Sequence, residues 1–571
     1  MISLIIIALV IGIIGYAYYW WQKRQMRQEE LKEMIAKRRA ERDETVEFAK
    51  EQYRKVSKDI REKIEAMDFD ALREALQNGS VTCIDVTRTF FGKAVKAHEK
   101  TNCVTLFINE AEKWALEWDE KAKDPSFVKP SFFGFPISLK EVVPLKGYDL
   151  TRGYVQDCFK PKEEDCVLVT HLKRMGFVPF VQTNVPQSLM AFACCNTLYG
   201  TTTHPLSKHR TCGGSSGGEA AILAAGGSLI GIGGDVGGSI RIPCHFTGMA
   251  GIKPCNPRFS HRGVPGCIPG RPLINANDGP MTTTIKSTVE FLRAAWSDTW
   301  THEMDFYVPP VTFNEELFKE GKKYRIGYYV DDEWFTPVPA IQRAVLEAKE
   351  ILEKAGHTLV PFKPRNIPYM FKLYIRALSV DGGYYLWSRL LNDVLDPTIK
   401  PMIYTNLIPI PIQRFAGFFL DFIYPRMANI AKSLTHSTIE LRETYAEIED
   451  YRSKFTVQML DEKIDALLCP PQVMPSPEHH IPSRIIAAIS YTGIFNLLDY
   501  GAGVVNVTKV TEEDDRKLDD YPESDPWYRM VKKTSKGTVG FPIGVQVAAP
   551  PYKEEIALRI LRDVEIAVTG H

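Results

Sequence analysis

Two glycine-rich segments constrain the fold of this 571-residue chain more than any other feature of its sequence. The first reads GGSSGGE at residues 213–219, and the second reads DVGGSIRIP at residues 235–243. An apolar run at residues 229–232 lies between them and predicts a strand, whereas Ile240 and Arg241 indicate the start of a helix. Glycines at such a turn allow backbone N–H groups to point towards one place at the positive end of a helix.

Short apolar runs alternate with helical segments along the rest of the chain. Residues 104–108, 177–181 and 229–232 are the clearest predicted strands. Pro179 lacks the N–H that a strand ladder needs, so the second of these runs is the weakest. The alternation predicts an α/β fold around one mixed sheet. Because no internal repeat or low-complexity linker interrupts residues 67–571, we expect one large domain there.

Charge and cysteine content argue against several classes of partner and cofactor. The 70 basic residues balance the 70 acidic residues, so the net charge gives no indication of a nucleic-acid partner. The 11 cysteines include no CxxC pair and no regular spacing, which favours reduced thiols over a disulfide framework or a zinc site. We therefore expect a body that faces the cytosol and holds neither a metal ion nor an organic cofactor.

The N-terminus departs from this soluble pattern. Residues 2–21 carry no charge, and twenty helical residues span about 30 Å, the thickness of a bilayer's hydrocarbon core. Aromatic residues cluster at 16–21, and Lys23 and Arg24 follow, which by the positive-inside rule puts the rest of the chain in the cytosol. A cleavable signal peptide is the alternative, but its basic residues would precede the apolar run. Residues 1–22 therefore predict a single-pass transmembrane helix.

The next segment is highly charged. Residues 23–66 are dense in Glu, Lys and Arg, with apolar residues at helical intervals, and they predict a long amphipathic stalk, continuous or broken. Packing of this stalk against the body is favoured over a dimer contact. Further on, Asp68 and the pair Asn78 and Gly79 predict the two ends of a short capped helix.

The turn at residues 235–239 has more than one interpretation. Its successive backbone N–H groups belong to Val236, Gly237, Gly238 and Ser239. Aimed together, these groups would form an oxyanion hole, which is often the largest single contribution to catalysis of acyl transfer. A phosphate cradle and a simple tight turn are the alternatives. Neither a Gly-Lys-Ser/Thr ending nor a GxGxxG spacing supports the phosphate interpretation.

Ser215 invites a different interpretation. The segment around it fits the GxSxG pattern, in which the serine is a nucleophile on a sharp turn between a strand and a helix. Such turns follow a strongly apolar strand, whereas residues 208–212 read KHRTC. We therefore reject this interpretation of Ser215.

These segments also carry a family resemblance. Together with SLK at residues 138–140 and GMAGIKP at residues 248–254, they resemble the signature of the amidase family. The resemblance implies a large twisted mixed β-sheet covered by many helices. It also implies a Ser-Ser-Lys triad in which Lys140 is the general base, Ser215 relays protons after a cis peptide, and Ser239 forms the acyl ester.

The same resemblance assigns supporting roles and shows two departures. The four N–H groups from Val236 to Ser239 would bind the oxyanion, and the supporting residues would be Ser216, Asp235 and Arg241. Gly234 stands where the family usually has Thr, and Cys212 stands where many members have Pro. A free lysine is neutral in only about one molecule in 2500 at pH 7, so Lys140 would need burial to act as a base.

Within the family, the chain is similar to the membrane-bound members that cleave fatty acid amides, namely N-acylethanolamines such as anandamide and primary amides such as oleamide. Agreement includes residues 488–492, 499–505 and 540–542. The comparison implies a membrane-binding cap at residues 402–433, where aromatic residues share one helical face: Phe415, Phe418, Phe419 and Phe422. Arg414, Arg426 and Lys432 would suit anionic headgroups. An ordinary core helix is the alternative.

The comparison also implies an acyl channel, with core packing as the alternative for its aromatic members. Its expected residues are Leu189, Met190, Phe192, Trp334, Phe418 and Phe422. A homodimer in the membrane of the endoplasmic reticulum is expected on the same basis. Two rival functions stay open, namely an anchored amidase for small polar amides and a catalytically dead membrane scaffold.

Overall fold

The structure, a computed structural model, describes residues 2–270 and 274–570, and of residues 2–5, 7–10 and 13 it describes the backbone alone. Met1, in the predicted anchor, and residues 271–273 and His571, in the predicted large domain, lie outside the described residues. The helices are α1 Ile2–Arg54, α2 Lys58–Glu65, α3 Phe69–Asn78, α4 Cys83–Thr101, α5 Ala111–Lys121, α6 Val167–Arg174, α7 Gly217–Ala224, α8 Arg241–Thr247, α9 Ile285–Ala295, α10 Trp300–Met304, α11 Glu315–Phe318, α12 Pro339–Lys354, α13 Ile367–Leu378, α14 Tyr384–Leu391, α15 Lys400–Asn406, α16 Ile410–Leu420, α17 Pro425–Ser433, α18 Thr438–Asp461, α19 Ser490–Leu497, α20 Glu512–Lys517, α21 Pro526–Ser535 and α22 Glu554–Thr569.

One mixed sheet organises the chain. The strands are β1 Val104–Phe107, β2 Pro136–Lys140, β3 Val178–Thr183, β4 Cys195–Asn196, β5 Gly200–Thr201, β6 Thr203–His204, β7 Ser207–Thr211, β8 Ile230–Asp235, β9 Ala250–Lys253, β10 Asn277–Thr282, β11 Arg325–Tyr328, β12 Thr358–Pro361, β13 Ala466–Cys469, β14 Gly501–Lys509 and β15 Pro542–Ala549. Eleven of them form the sheet, in the order β1-β3-β2-β8-β10-β9-β14-β15-β13-β11-β12. The predicted α/β fold and its three clearest strands are confirmed.

The least secure of those strands does form, with a local irregularity. Pro179 lies inside β3 opposite Ile137 of β2, and the register of this parallel pair shifts between Ile137 and Ser138. The shift occurs beside the residue that has no N–H to donate, which is where a ladder is expected to be interrupted. The strands β1, β3 and β2 therefore remain paired despite the register shift.

Glycine at the centre of the sheet allows a helix to dock closely. Gly231 of β8 lies opposite Ser138 of β2, and a Cβ at Gly231 would come within 1.8 Å of Glu219 Oε2. The Glu219 carboxylate, on α7, accepts hydrogen bonds from Ser138 Oγ at 2.6 Å and from Thr183 Oγ1 at 2.7 Å. Burial raises the pKa of Glu219 to about 7, although these hydrogen bonds oppose the shift. One carboxyl group therefore ties α7 to β2 and β3.

The N-terminal region is one long helix that packs on the body. The helix α1 ends at Arg54 and α2 begins at Lys58, so the predicted stalk contains one break. Leu31 and Ala49 of α1 are fully buried. Among the described residues, no helix combines the length and the apolar character needed to cross a membrane.

The short helix α3 ends as its sequence predicts. The Asp68 side chain accepts the Ala71 N–H at its start, and Gly79 adopts a left-handed conformation with φ +76° at its end. All 11 cysteines are buried free thiols.

A buried ion pair fastens α1 to the body, and it generates a stability prediction. Arg38 pairs with Asp149, and their side chains are 3% and 5% exposed. We expect Arg38→Ala to destabilise the chain by about 3–5 kcal/mol, because it leaves the buried Asp149 carboxylate without its counter-ion. Urea unfolding of the purified full chain measures this difference. The control is Arg27→Ala, since the Arg27–Glu30 pair is 40% and 58% exposed and should contribute less than about 1 kcal/mol. Equal losses in both variants would contradict the prediction.

Candidate active site

Lys140 and Ser215 meet at the carboxyl end of the central strands. Lys140 ends β2, which runs parallel to β8 through the pairs Ser138 with Gly231 and Leu139 with Ile232. Its ammonium group donates to Ser215 Oγ at 2.9 Å and to the Gly234 carbonyl oxygen at 2.9 Å. The lysine is only 1% exposed. Two residues 75 positions apart in the chain thus form a direct hydrogen bond.

The surroundings of Lys140 favour its neutral form more than water does. Burial lowers its pKa to about 8, although the nearby carboxylates of Asp278 and Asp235 act in the opposite direction. A lysine with that pKa is neutral in about one molecule in ten at pH 7. The predicted requirement for burial is therefore met, and Lys140 is able to accept a proton near neutral pH.

Ser215 follows a cis peptide bond between Gly214 and Ser215. The strand before it, β7, belongs to a two-stranded sheet with β6 and not to the central sheet. Its neighbour Ser216 donates its N–H to the Ser239 carbonyl oxygen at 3.1 Å and accepts the Gly234 N–H on its side chain at 3.2 Å. Ser216 therefore joins the loop that carries Ser215 to the loop that carries Ser239.

Ser239 lines the same cavity as Lys140 and Ser215. The cavity contains about 1020 Å³ of empty space, open solvent included. Most of its wall is apolar, and its members include Val142, Ile242, Ile375, Leu378, Ile486 and Ile489. A polar catalytic group at the edge of an apolar cavity is the usual arrangement of a small-molecule site.

The turn around Ser239 differs from the sequence-based expectation at one N–H. Asp235 accepts the Gly238 N–H on Oδ1 at 2.8 Å and the Ile240 N–H on Oδ2 at 3.0 Å. The Gly238 N–H therefore donates to the Asp235 carboxylate and is not available to bind an oxyanion. The other three residues of the predicted oxyanion hole, Val236, Gly237 and Ser239, line the cavity.

A buried ion pair holds that turn in place. Arg241 Nη2 lies 2.9 Å from Asp235 Oδ1, and both side chains are fully buried. Burial disfavours the ionised form of Asp235, but the Arg241 guanidinium outweighs this effect and holds its pKa well below the ordinary value. Arg241 also donates to Thr492 O at 3.0 Å, Gln546 Oε1 at 2.7 Å and Asn496 Oδ1 at 2.6 Å. The pair thus connects the turn to α19 and β15.

Sequence reasoning assigned no role to the residues that hold the carbonyl groups of this turn. The Tyr374 hydroxyl donates to Val236 O at 3.0 Å, and Thr492 Oγ1 donates to Gly237 O at 2.6 Å. Both residues come from distant helices, so no local motif indicates them. By engaging these carbonyl oxygens, they help to fix the orientation of the peptide groups around Ser239.

Three of the six predicted acyl-channel residues line the cavity and three do not. Leu189, Met190 and Phe192 line the cavity beside Ser215. Trp334 contributes nothing to its wall and packs on Phe371 at 5.0 Å between ring centroids. Phe418 and Phe422 lie on the surface, 64% and 93% exposed.

The cap segment forms α15, α16 and α17, with its aromatic side chains outside. Phe415 and Phe419 are 66% and 65% exposed, whereas Gln413 and Gly417 on the opposite face are buried. The alternative of an ordinary core helix is therefore wrong for this aromatic face.

The cations expected beside the cap are engaged within the protein. Arg414 pairs with Glu440 at 2.6 Å, Arg426 is buried against Asp525, and Lys432 pairs with Asp421. The prediction that Arg426 suits an anionic headgroup is wrong, because its side chain is buried against Asp525. For Arg414 and Lys432, whose side chains are partly exposed, it stays a prediction.

The chain is similar to known proteins over most of its length. The family described as Amidase matches residues 85–558. Fatty acid amide hydrolase 1 of Caenorhabditis elegans is 52% identical over 567 residues, which cover 99% of each chain. Fatty-acid amide hydrolase 1 of Sus scrofa is 37% identical over 527 residues, covering 91% of this chain and 89% of its own. The solved structure of a fatty acid amide hydrolase superposes with a TM-score of 0.76 at 23% identity, covering 96% of this chain and 95% of that chain.

The turn at Gly237 generates a prediction. A Cβ at Gly237 would lie 2.2 Å from the Tyr374 hydroxyl and 3.3 Å from the next ring atom. We expect Gly237→Ala to slow labelling of Ser239 by a fluorophosphonate probe by roughly a hundredfold, because the displaced turn misplaces its N–H groups. Tyr374→Phe removes the clashing oxygen, so the double variant should recover part of the rate, as measured by time-resolved labelling. An unchanged rate in Gly237→Ala would contradict this account of the turn.

Proposed function

This chain belongs to the amidase family and hydrolyses amide bonds, and we propose that its substrates are fatty acid amides. The proposed substrates are N-acylethanolamines such as anandamide and primary amides such as oleamide. The observation that carries this proposal is the buried contact of Lys140 with Ser215 at the edge of an apolar cavity that Ser239 also lines. The names of the two similar relatives support the same substrate class.

The proposed reaction passes through an acyl-enzyme. Neutral Lys140 takes the proton of Ser215, which takes the proton of Ser239, and Ser239 Oγ then attacks the amide carbonyl carbon. The proton returns from Lys140 through Ser215 to the leaving nitrogen as the C–N bond breaks, so the amine departs neutral. Water hydrolyses the acyl ester by the same relay and releases the fatty acid. The hydrogen bond between Lys140 and Ser215 supports the first transfer.

Charge that develops on the carbonyl oxygen would be stabilised by backbone N–H groups. Those of Val236, Gly237 and Ser239 are the candidates, since Gly238 donates to Asp235. Removal of one preorganised donor from such a site raises the activation free energy by about 2.7–4 kcal/mol. Asp235 and Arg241 act on this step through the shape of the turn.

The proposed enzyme takes its substrate from a membrane. Each buried methylene contributes about 0.8 kcal/mol, so a fatty amide partitions into lipid and the enzyme has to reach it there. The exposed aromatic face of α16, and the uncharged run at residues 2–21, support attachment to a bilayer. A single pass through the membrane, the endoplasmic reticulum as its location and a homodimer stay predictions from the sequence.

The rival functions have less support. An amidase for small polar amides would have little use for a cavity with so apolar a wall. A catalytically dead scaffold would not need to keep Lys140 buried and bonded to Ser215, since a buried lysine with no function is costly to the fold.

The first test follows the pH dependence of hydrolysis. We expect the rate on a long-chain N-acylethanolamine to rise from about pH 6 to about pH 9, because Lys140 must be neutral and its pKa is about 8. Lys140→Ala should lose most activity at neutral pH and regain part of it as hydroxide increases. The matched control Ser239→Ala should remain inactive at every pH. Hydrolysis of a short polar amide alone would overturn the proposed substrate class and leave the triad intact.

The second test concerns the aromatic face of α16 and its end. We expect replacement of Phe418 and Phe422 by Ser to raise the apparent KM several-fold for an N-acylethanolamine embedded in vesicles, because the exposed rings no longer enter the interface. The kcat/KM for a short soluble amide should not change. Replacing Phe306 and Tyr307, which are 81% and 91% exposed elsewhere on the surface, provides the matched control. Equal effects of the two pairs on the vesicle assay would show that this face has no special role.

A further inference from the structure

One carboxylate in the catalytic cavity has no role in the reaction described above. Asp278 lies on β10 and lines the cavity with Lys140 and Ser215, and it is only 4% exposed. Within the described residues, its side chain accepts no hydrogen bond and has no cation within 4.0 Å. A buried, unpaired carboxylate is costly unless a nearby charge stabilises it, so its presence calls for an explanation.

Gly234 leaves room for this carboxylate to face Lys140. Asp278 lies directly opposite Gly234 in the antiparallel pair of β10 and β8. A Cβ at Gly234 would lie 2.9 Å from Asp278 Oδ1 and 3.8 Å from Lys140 Nζ. Both groups therefore border the space that a side chain at Gly234 would occupy. A Cβ at this position would require the Asp278 carboxylate to shift, so glycine leaves the carboxylate in its present place.

The other carboxyl groups near Lys140 are already engaged. The Asp235 carboxylate pairs with Arg241, and the Glu219 carboxyl group accepts from Ser138 and Thr183. Among the described residues, the thiols of Cys194 and Cys267 also lie near Lys140, and that of Cys166 lies near Asp278. Asp278 is thus the carboxylate near Lys140 for which the described residues provide no hydrogen bond or ion pair.

Asp278 and Lys140 each shift the pKa of the other towards the charged form. Burial raises the pKa of Asp278 to about 7, and Lys140 opposes this rise. Burial lowers the pKa of Lys140 to about 8, and Asp278 opposes this fall more than any other neighbour. Groups so close in pKa titrate as a pair, so the protonation of one depends on the other.

We propose that Asp278 is a positioning residue for the proton on Lys140, and that it sets the pH at which Lys140 becomes available as the base. The inference rests on the proposed role of Lys140 as the general base. Since the carboxylate stabilises the charged lysine, it delays loss of the lysine's proton as the pH rises. Removing the carboxylate therefore makes the enzyme more active on the acidic side of its profile.

The experiment measures nucleophile activation without relying on the identity of the substrate. The rate of Ser239 labelling by a fluorophosphonate probe is followed from pH 5 to pH 10 in the full chain, as wild type and as Asp278→Asn. We expect the midpoint of the acidic limb to fall by about half a unit to one unit, and labelling to accelerate by about twofold near pH 7.5, where much of Asp278 is ionised in the wild type. Near pH 6, where Asp278 is mostly protonated, the two rates should be nearly equal. Asp332→Asn is the matched control, because Asp332 is a buried carboxylate outside the cavity, and its midpoint should equal that of wild type.

A double variant shows whether Asp278 acts through Lys140. In a Lys140→Ala background, Asp278→Asn should leave the pH dependence of labelling unchanged. An unchanged midpoint in the single variant, or a shift that persists without Lys140, would overturn the proposal. If Asp278→Asn fails to fold by thermal melting, Asp278→Ser removes the same charge with a smaller side chain and is judged by the same midpoint. A shifted midpoint in an enzyme that ignores fatty amides would support the inference and reject the proposed substrate.

Discussion

The burial of Lys140 is the constraint on which the rest of this site depends. A charged lysine inside a protein is unstable unless nearby groups compensate for lost water, and here a hydroxyl and a carbonyl oxygen do so at 2.9 Å each. The same loss of water brings its pKa to about 8. Burial of Lys140 therefore destabilises the fold and, by the same loss of water, makes the residue a base near neutral pH.

Several buried polar contacts fix the positions of Lys140, Ser215 and Ser239 relative to one another. The Glu219 carboxyl group joins β2, β3 and α7, while the Asp235–Arg241 pair shapes the turn that carries Ser239. Each of these contacts lies in a part of the interior where an unpaired polar atom would be strongly destabilising. The site is thus held by groups that tolerate little change in position: Lys140 ends a strand of the central sheet, and the loops that carry Ser215 and Ser239 are fixed by buried contacts.

Much of this arrangement is readable from local sequence. The strand predicted at 229–232, the glycine turn after it and the family signature were enough to nominate Lys140, Ser215 and Ser239. The roles of Tyr374 and Thr492 were not, since they reach the turn from α13 and α19, more than 130 residues further along the chain. Trp334 was expected to line the cavity, but nothing in the local sequence indicates that its ring packs on Phe371 instead.

The sequence by itself determined the α/β class, the three clearest strands and the glycine-rich turn before Ser239, because periodicity and glycine placement act over a few neighbouring residues. The candidate triad came from the resemblance to the amidase family, and the exposure of the aromatic face of α16 came from the structure. Only the tertiary structure decided which charges are available. Asp235, Arg426 and Asp278 are all ionisable residues. Yet the first is paired inside the turn, the second is buried against Asp525, and the third shares the cavity with Lys140 and has no hydrogen bond or ion pair among the described residues. Electrostatic free energy depends on distance and burial in three dimensions, and neither is encoded in the spacing of residues along the chain.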